Sequence, residues 1–166
     1  MIDPKEVSAA GKAKEQENAR FLAFLKDNAE SEELDRRFAD FHNELFMGYD
    51  CCKCNNCCRS YSVGLSEPDI ERLAEFLGLP SKRQFISSFD LHMEFGQEYV
   101  LNAPCQFLLP SGACSVEKIK PQVCRDYPYT DKPDRLSLFL TVIAMANVCP
   151  IVYEIVERLK TAYGFG

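Results

Sequence analysis

Five cysteines fall within eight residues, Cys51-Cys52-Lys53-Cys54-Asn55-Asn56-Cys57-Cys58, in a chain of 166. Lys53, Asn55, Asn56 and Arg59 surround them, so the segment has no apolar period and reads as a loop over Cys51 to Ser60. Unligated cysteine often packs as a small apolar side chain, but a polar loop gives five thiols no core to enter. The adjacent pairs Cys51-Cys52 and Cys57-Cys58 are too close for ordinary disulfides between neighbours, and the total of nine is odd. Metal binding accounts for the pattern better. Two intervening residues allow a tight turn to aim both sulfurs at one ion, with backbone amides favouring the thiolate charge.

Three thiols at successive two-residue gaps plus a remote cysteine is also how ferredoxin-type iron–sulfur clusters are held. The remote candidates are Cys105, Cys114, Cys124 and Cys149, and Cys149 precedes Pro150 as the distant ferredoxin ligand precedes a proline. Zinc and iron–sulfur both accept tetrahedral thiolate sets and both stay open. With two histidines in the chain, and neither His42 nor His92 at ligand spacing from the other, Cys2His2 patterns are excluded. Both read as surface or hydrogen-bonded residues.

Composition narrows the partners. A net charge of −6 argues against a nucleic-acid partner that needs a broad basic face. The most apolar run, Leu136 to Val148, is 13 residues long and too short for a bilayer, so no membrane span is expected. Met1-Ile2-Asp3-Pro4-Lys5-Glu6 has no apolar signal region, which predicts a cytoplasmic setting where thiols stay reduced.

The cysteines divide the chain into a helical arm, residues 1–47, and a cysteine-cluster domain, residues 48–166. The arm carries 11 acidic and seven basic side chains and no cysteine. Asp3 as N-cap and Pro4 at the first helical position predict a helix start, with Glu6 reaching back. Phe21, Leu22 and Leu25 form one apolar face. Leu34, Phe38, Phe41 and Leu45 form another after a break near Asn28 to Ser31, giving a helical hairpin or one bent helix. That stripe is expected to lie on the cysteine-rich body or on a second copy of the chain. Farther on, Ser66-Glu67-Pro68-Asp69 opens a helix ended by Gly78, and Ser81 to Gln84 opens another. His92 to Leu101 reads as a hairpin around Gly96-Gln97, and Phe107 to Leu109 as a short strand turned by Pro110-Ser111-Gly112. Val116 to Lys120 reads as one helical turn, Leu136 to Ala144 leans toward strand, and Ile151 to Leu159 is an amphipathic helix closed by Gly164. The expected class is α+β.

Four separated motifs carry a resemblance. Cys51 to Cys58, Cys105-Gln106-Phe107-Leu108 with Gly112-Ala113-Cys114-Ser115-Val116, Lys120-Pro121-Gln122-Val123-Cys124-Arg125-Asp126-Tyr127-Pro128, and Cys149-Pro150 together resemble the YkgJ-type cysteine-cluster family. That family is described as zinc- or iron-chelating and is related to the flagellin lysine N-methylase. The resemblance implies Cys51, Cys54, Cys57, Cys58, Cys105, Cys114, Cys124 and Cys149 as metal ligands, and it leaves Cys52 as an extra. Asn55 replaces the family's usual glycine, and Gln106 its usual proline. If Cys57 and Cys58 point apart in an extended segment, they serve different centres. One division is then Cys51, Cys54, Cys57 and Cys149 around one centre, and Cys58, Cys105, Cys114 and Cys124 around another.

Three functions follow as expectations: a metal-binding protein whose zinc or iron is structural or is handled as cargo, an iron–sulfur (for example [4Fe-4S]) redox or methylase-like enzyme, and an interaction module. In the last, residues 1–47 meet a protein partner or a second copy. Arg125 is expected to pair with Asp126, Asp131 or Glu117, and Asp69 to complement a helix dipole.

Overall fold

The structure, a computed structural model, describes residues 1–94 and 98–166. It has two compact units: Met1–Tyr49 with Pro128–Gly166, and Asp50–Tyr127. The sequence division at residue 47 does not contain this grouping, because residues 128–166 associate with the N-terminal helices.

The first unit is all helical: α1 (Val7–Ala13), α2 (Glu15–Asn28), α3 (Ser31–Phe46), α9 (Phe139–Ala146) and α10 (Pro150–Ala162). Asp3 does what an N-cap does, accepting the Lys5 N–H at 2.8 Å, but a turn intervenes and the α-helix begins at Val7 with no side-chain cap bond. The break between α2 and α3 falls at Ala29–Glu30, where the backbone is extended. Phe21, Leu25, Leu34 and Phe38 are fully buried. Phe139 meets Phe21 and Phe38 edge-on, at 5.8 and 6.1 Å between ring centroids. The arm's apolar stripe is therefore covered by α9 and α10 of the same chain. Lys160, on α10, is 4% exposed and bridges Glu17 of α2 at 2.6 Å and Glu157 at 2.7 Å, so the buried ammonium is paired on both sides.

The segment that leaned toward strand is helix α9. Phe139, Val142, Ile143 and Ala146 are buried while Leu140, Thr141 and Ala144 face outward. That is a helical stripe, and burying it against neighbours outweighs the β-propensity of Val, Ile and Thr.

The second unit holds α4 (Cys51–Cys54), α5 (Asn56–Ser60), β1 (Val63–Leu65), α6 (Glu67–Phe76), α7 (Lys82–Ser88), β2 (His92–Glu94), β3 (Glu98–Leu101) and α8 (Gln122–Asp126). A 3-10 turn at Glu117–Ile119 ends before Pro121, as expected. Ser66 and Ser81 cap α6 and α7 by accepting the Asp69 and Gln84 N–H groups. The antiparallel sheet has the order β1-β3-β2, with Leu65 opposite Tyr99 and Met93 opposite Tyr99. The hairpin's strands are thus present, while its expected turn at Gly96-Gln97 lies outside the described residues. Leu65, Ile70, Leu73, Phe85, Leu101, Phe107 and Val116 form this unit's core, with Cys105 and Cys114 packed partly buried against it. One helical unit and one unit with a small antiparallel sheet make the chain α+β. Among the described residues no helix is long and apolar enough to cross a membrane.

Gly11 of α1 sits against the end of α9. A Cβ there would press on Asn147 Oδ1 and lie 2.9 Å from Asn147 Cα and 3.1 Å from the Ala146 carbonyl oxygen. Helix propensity alone makes Gly11→Ala stabilising by about 1 kcal/mol. The crowding reverses the sign, and a net loss of about 1–3 kcal/mol is expected in denaturant unfolding.

Candidate metal centre

The segment that reads as a loop is two short helical turns. Asp50 accepts the Cys52 N–H at 3.0 Å and starts α4. Asn55 then adopts a left-handed conformation, φ 42°, between α4 and α5. Asparagine is among the few non-glycine residues that accept this region, which explains why it can stand where the resembled family has glycine. Its side chain adds what glycine lacks. The amide donates to the Cys52 carbonyl at 2.7 Å and the Gly112 carbonyl at 3.3 Å, while Oδ1 accepts Arg59 Nε–H at 2.9 Å. The first cysteine segment is thereby tied to the turn that precedes Cys114. Gly112 has φ +87°, and a Cβ on it would lie 2.5 Å from the Cys52 carbonyl oxygen.

Cys57 and Cys58 lie on α5, so their side chains are not opposed as in an extended segment. A hydrogen bond from the Cys57 thiol instead draws the Cys58 thiol down to about 6, against the opposing effect of burial. The geometric reason for assigning them to different centres therefore falls away.

Cys58 reaches the next motif through its backbone, its carbonyl accepting the Cys105 N–H at 2.7 Å. Phe107 to Leu109 is no strand of its own. Leu108 and Cys114 form one isolated bridge, and Leu109 donates to the Ala113 carbonyl at 2.9 Å. Because Pro110-Ser111-Gly112 turns the chain at once, one bridge is all it forms, and the bridge sets Cys114 near Cys105. The 3-10 turn follows, and α8 delivers Cys124. Asp69 positions that helix. Buried at 4% exposure in the first turn of α6, it accepts the Gln122 N–H at 3.3 Å, the Ser66 hydroxyl at 2.8 Å and the Arg72 guanidinium. It does more than complement a dipole.

Four thiols from these segments act on one another. Burial pushes Cys124 up to about 12, and the neighbouring Cys105, Cys58 and Cys114 add to it. Burial also raises Cys105 and Cys114; the Phe107 and Val116 amides oppose this, and Cys58 reinforces it in both. Cys51, raised by burial, has Lys120 opposing and Cys54 and Cys52 reinforcing the shift. Cys149 lies in the helical unit as the buried N-cap residue of α10. All nine cysteines are among the described residues, and none is joined in a disulfide.

Thiol-only donors of this kind suit zinc or iron. Among the described residues, however, no three His, Cys, Asp or Glu side chains are arranged as a closed coordination sphere. The backbone brings the Cys58 segment to Cys105 through one hydrogen bond and Leu108 to Cys114 through one bridge, and α8 carries Cys124.

Other residues resolve simply. Arg125 donates to the Lys120 carbonyl at 2.7 Å and to Gln122 Oε1 at 2.5 Å, so it braces the turn before α8 instead of pairing with an acid. His42 is hydrogen-bonded to Thr130 at 2.8 Å and His92 to Glu94 at 3.2 Å, as satisfied residues. Gln106, in place of proline, donates to the Phe89 carbonyl at 3.0 Å. Sequence reasoning missed Lys120, whose charge acts on Cys51, Cys58, Cys114 and Cys124. Its signal was its place at the head of the Lys120–Pro128 motif, four residues before Cys124.

Two outcomes follow for this unit. Gly112→Ala combines a left-handed backbone with a clash on Cys52, and should cost at least about 1–2 kcal/mol in denaturant unfolding. Burial raises the Asp69 carboxyl, but Ser66, Arg72 and the Gln122 amide outweigh it and hold it below the usual carboxylate range. Its stabilisation is therefore complete above the unfolded value of about 3.9 and disappears as pH falls through the lower folded value. In acid unfolding followed by circular dichroism, Asp69→Asn should remove that share of the slope and cost about 1–3 kcal/mol at neutral pH.

The CxxCxxCC family model, described as "Putative zinc- or iron-chelating domain", matches residues 50–150. No curated protein and no solved structure matches the chain. The family match covers well over half of the 166 residues, so the chain belongs to the CxxCxxCC family of zinc- or iron-chelating domains.

Proposed function

We propose that Cys58, Cys105, Cys114 and Cys124 together hold one zinc or iron centre whose main role is to stabilise the Asp50–Tyr127 unit. The observation that carries this is the backbone pairing of the cysteine segments, the Cys105 N–H to the Cys58 carbonyl at 2.7 Å and the Leu108–Cys114 bridge, with the Cys124 thiol near enough to be acted on by the other three. Their burial disfavours thiolate charge in the absence of a cation, and a bound divalent ion reverses that preference.

The size of the unit supports a structural role. It has fewer than 80 residues, and its buried core is a modest set on α6, α7, the sheet and the loops behind them. Units of that size commonly draw on metals or disulfides for stability. When bound, the ion supplies cross-linking between segments. The chain supplies four sulfurs, the Asp69 and Asn55 braces that position them, and an apolar wall formed by Phe107 and Val116.

Purification without oxygen followed by elemental analysis tests the reading. One zinc or iron per chain is expected, retained in Cys52→Ser and lost in Cys124→Ser. Two metals per chain would bring the remaining cysteines into the ligand set. Brown colour with acid-labile sulfide would identify an iron–sulfur cluster, and no metal at all would overturn the proposal. A strong chelator should remove several kcal/mol of stability, at about 2–4 °C in melting temperature per kcal/mol for a chain this long.

A further inference from the structure

Two residues of α3, Asp35 and His42, hold the segment 128–135 near its two ends. Toward its start, Thr130 is fully buried and its hydroxyl is hydrogen-bonded to His42 Nδ1 at 2.8 Å. At its far end both carboxylate oxygens of Asp35 are used, accepting the Asp134 N–H and the Arg135 N–H at 2.8 Å each. Asp35 and His42 stand two helical turns apart, so both clasps lie along one side of α3. Between the clasps the segment closes on itself once, with Lys132 N–H donating to the Tyr129 carbonyl at 3.1 Å. Tyr129 and Asp134 are left-handed, φ 60° and 64°, a backbone that side-chain-bearing residues adopt at a cost. The segment is therefore held in place by its ties. All of these residues belong to the helical unit, and none of them enters the metal reading.

We propose that residues 128–135 form an acid-sensitive strap, released from α3 at the Thr130 end when His42 takes up a proton and kept at the Arg135 end by Asp35. Of the two clasps, only the imidazole is of a type that changes charge between pH 5 and 8. A protonated ring is a donor at both nitrogens, so it can no longer accept a hydrogen bond from the buried Thr130 hydroxyl. It must also carry its charge partly out of water, with the Phe46 ring 4.5 Å away between centroids. On the strap, Lys132 opposes that charge and Asp131 favours it. On α3 itself the positions three and four residues away are Phe38, Ala39, Leu45 and Phe46, all uncharged. From α10, Arg158 is engaged with Glu44 and the Phe41 ring. Burial is the largest influence on the imidazole and holds it below its ordinary value. The clasp is therefore complete above about pH 6.5 and weakens as pH falls through the lower folded value.

Nuclear magnetic resonance on the full-length protein, purified without oxygen, tests both halves of the claim. The chain has two histidines, so the His42 ring signals are assigned by comparison with His92→Gln. Their titration midpoint is expected below about 6.5. Between about pH 7.5 and about pH 5, the amide-exchange protection of Lys132, corrected for intrinsic rate, should fall at least about threefold. Protection of Asp134 and Arg135, whose amides Asp35 holds, should stay within about twofold. In His42→Gln, which puts a neutral amide beside Thr130, the Lys132 protection should no longer depend on pH. A His42 midpoint at or above 6.5, or Lys132 protection that stays constant with pH in the unaltered chain, would overturn the inference. So would an equal loss at Lys132, Asp134 and Arg135, which means opening of the whole unit. If His42→Gln does not fold, the titration and the exchange pattern of the unaltered chain decide. None of these readouts depends on the metal content of the Asp50–Tyr127 unit, so the four-thiol reading stands or falls separately.

Discussion

Thiols crowded together in a partly buried space are the constraint on which the rest of the second unit depends. As neutral groups they are weak hydrogen-bonding partners that pack as small apolar side chains. As thiolates they repel one another and resist desolvation. Cys124, pushed up to about 12, states the problem most sharply. In the proposed structural role a bound cation resolves it, because the charge that burial penalises becomes the charge that coordination needs, and stability and metal binding become one equilibrium.

The surroundings of the cluster serve that arrangement. Asn55 accepts a left-handed backbone and spends its side chain on the Cys52 and Gly112 carbonyls. Gly112 lets the turn before Cys114 come close enough for that bond to form. On the other side, Asp69 and Arg125 hold the beginning of α8, one through the Gln122 N–H and the other through the Lys120 carbonyl. The sulfurs come from separate segments, so each segment needs its own tie, and each tie is a polar group with a partner at hydrogen-bond distance.

Much of this was legible in the amino-acid sequence, and the limits have physical causes. Caps at Ser66 and Ser81 were readable because capping is a local interaction within three residues. The cysteine-rich family segment was readable from the density and spacing of its thiols. The helical turns at 51–60 were not, since they depend on one Asn55 dihedral and one Asp50 cap in a segment without an apolar period. Helix α9 was misread as strand-leaning because its residue types favour strands. The spacing of Phe139, Val142, Ile143 and Ala146 carried the helical period that packing selected. Residues 128–166 were assigned by their position after the cysteines, yet their partners are the N-terminal helices, and such long-range packing leaves little trace in local sequence. Lys120 was passed over for the same reason: its meaning lies in what surrounds it in space.

The most direct test of the central claim is X-ray absorption at the zinc and iron edges of protein purified without oxygen. The account predicts a coordination shell of four sulfurs at about 2.3 Å and little contribution from nitrogen or oxygen. A shell dominated by nitrogen or oxygen donors, or an absorption edge too small for one ion per chain, would contradict it.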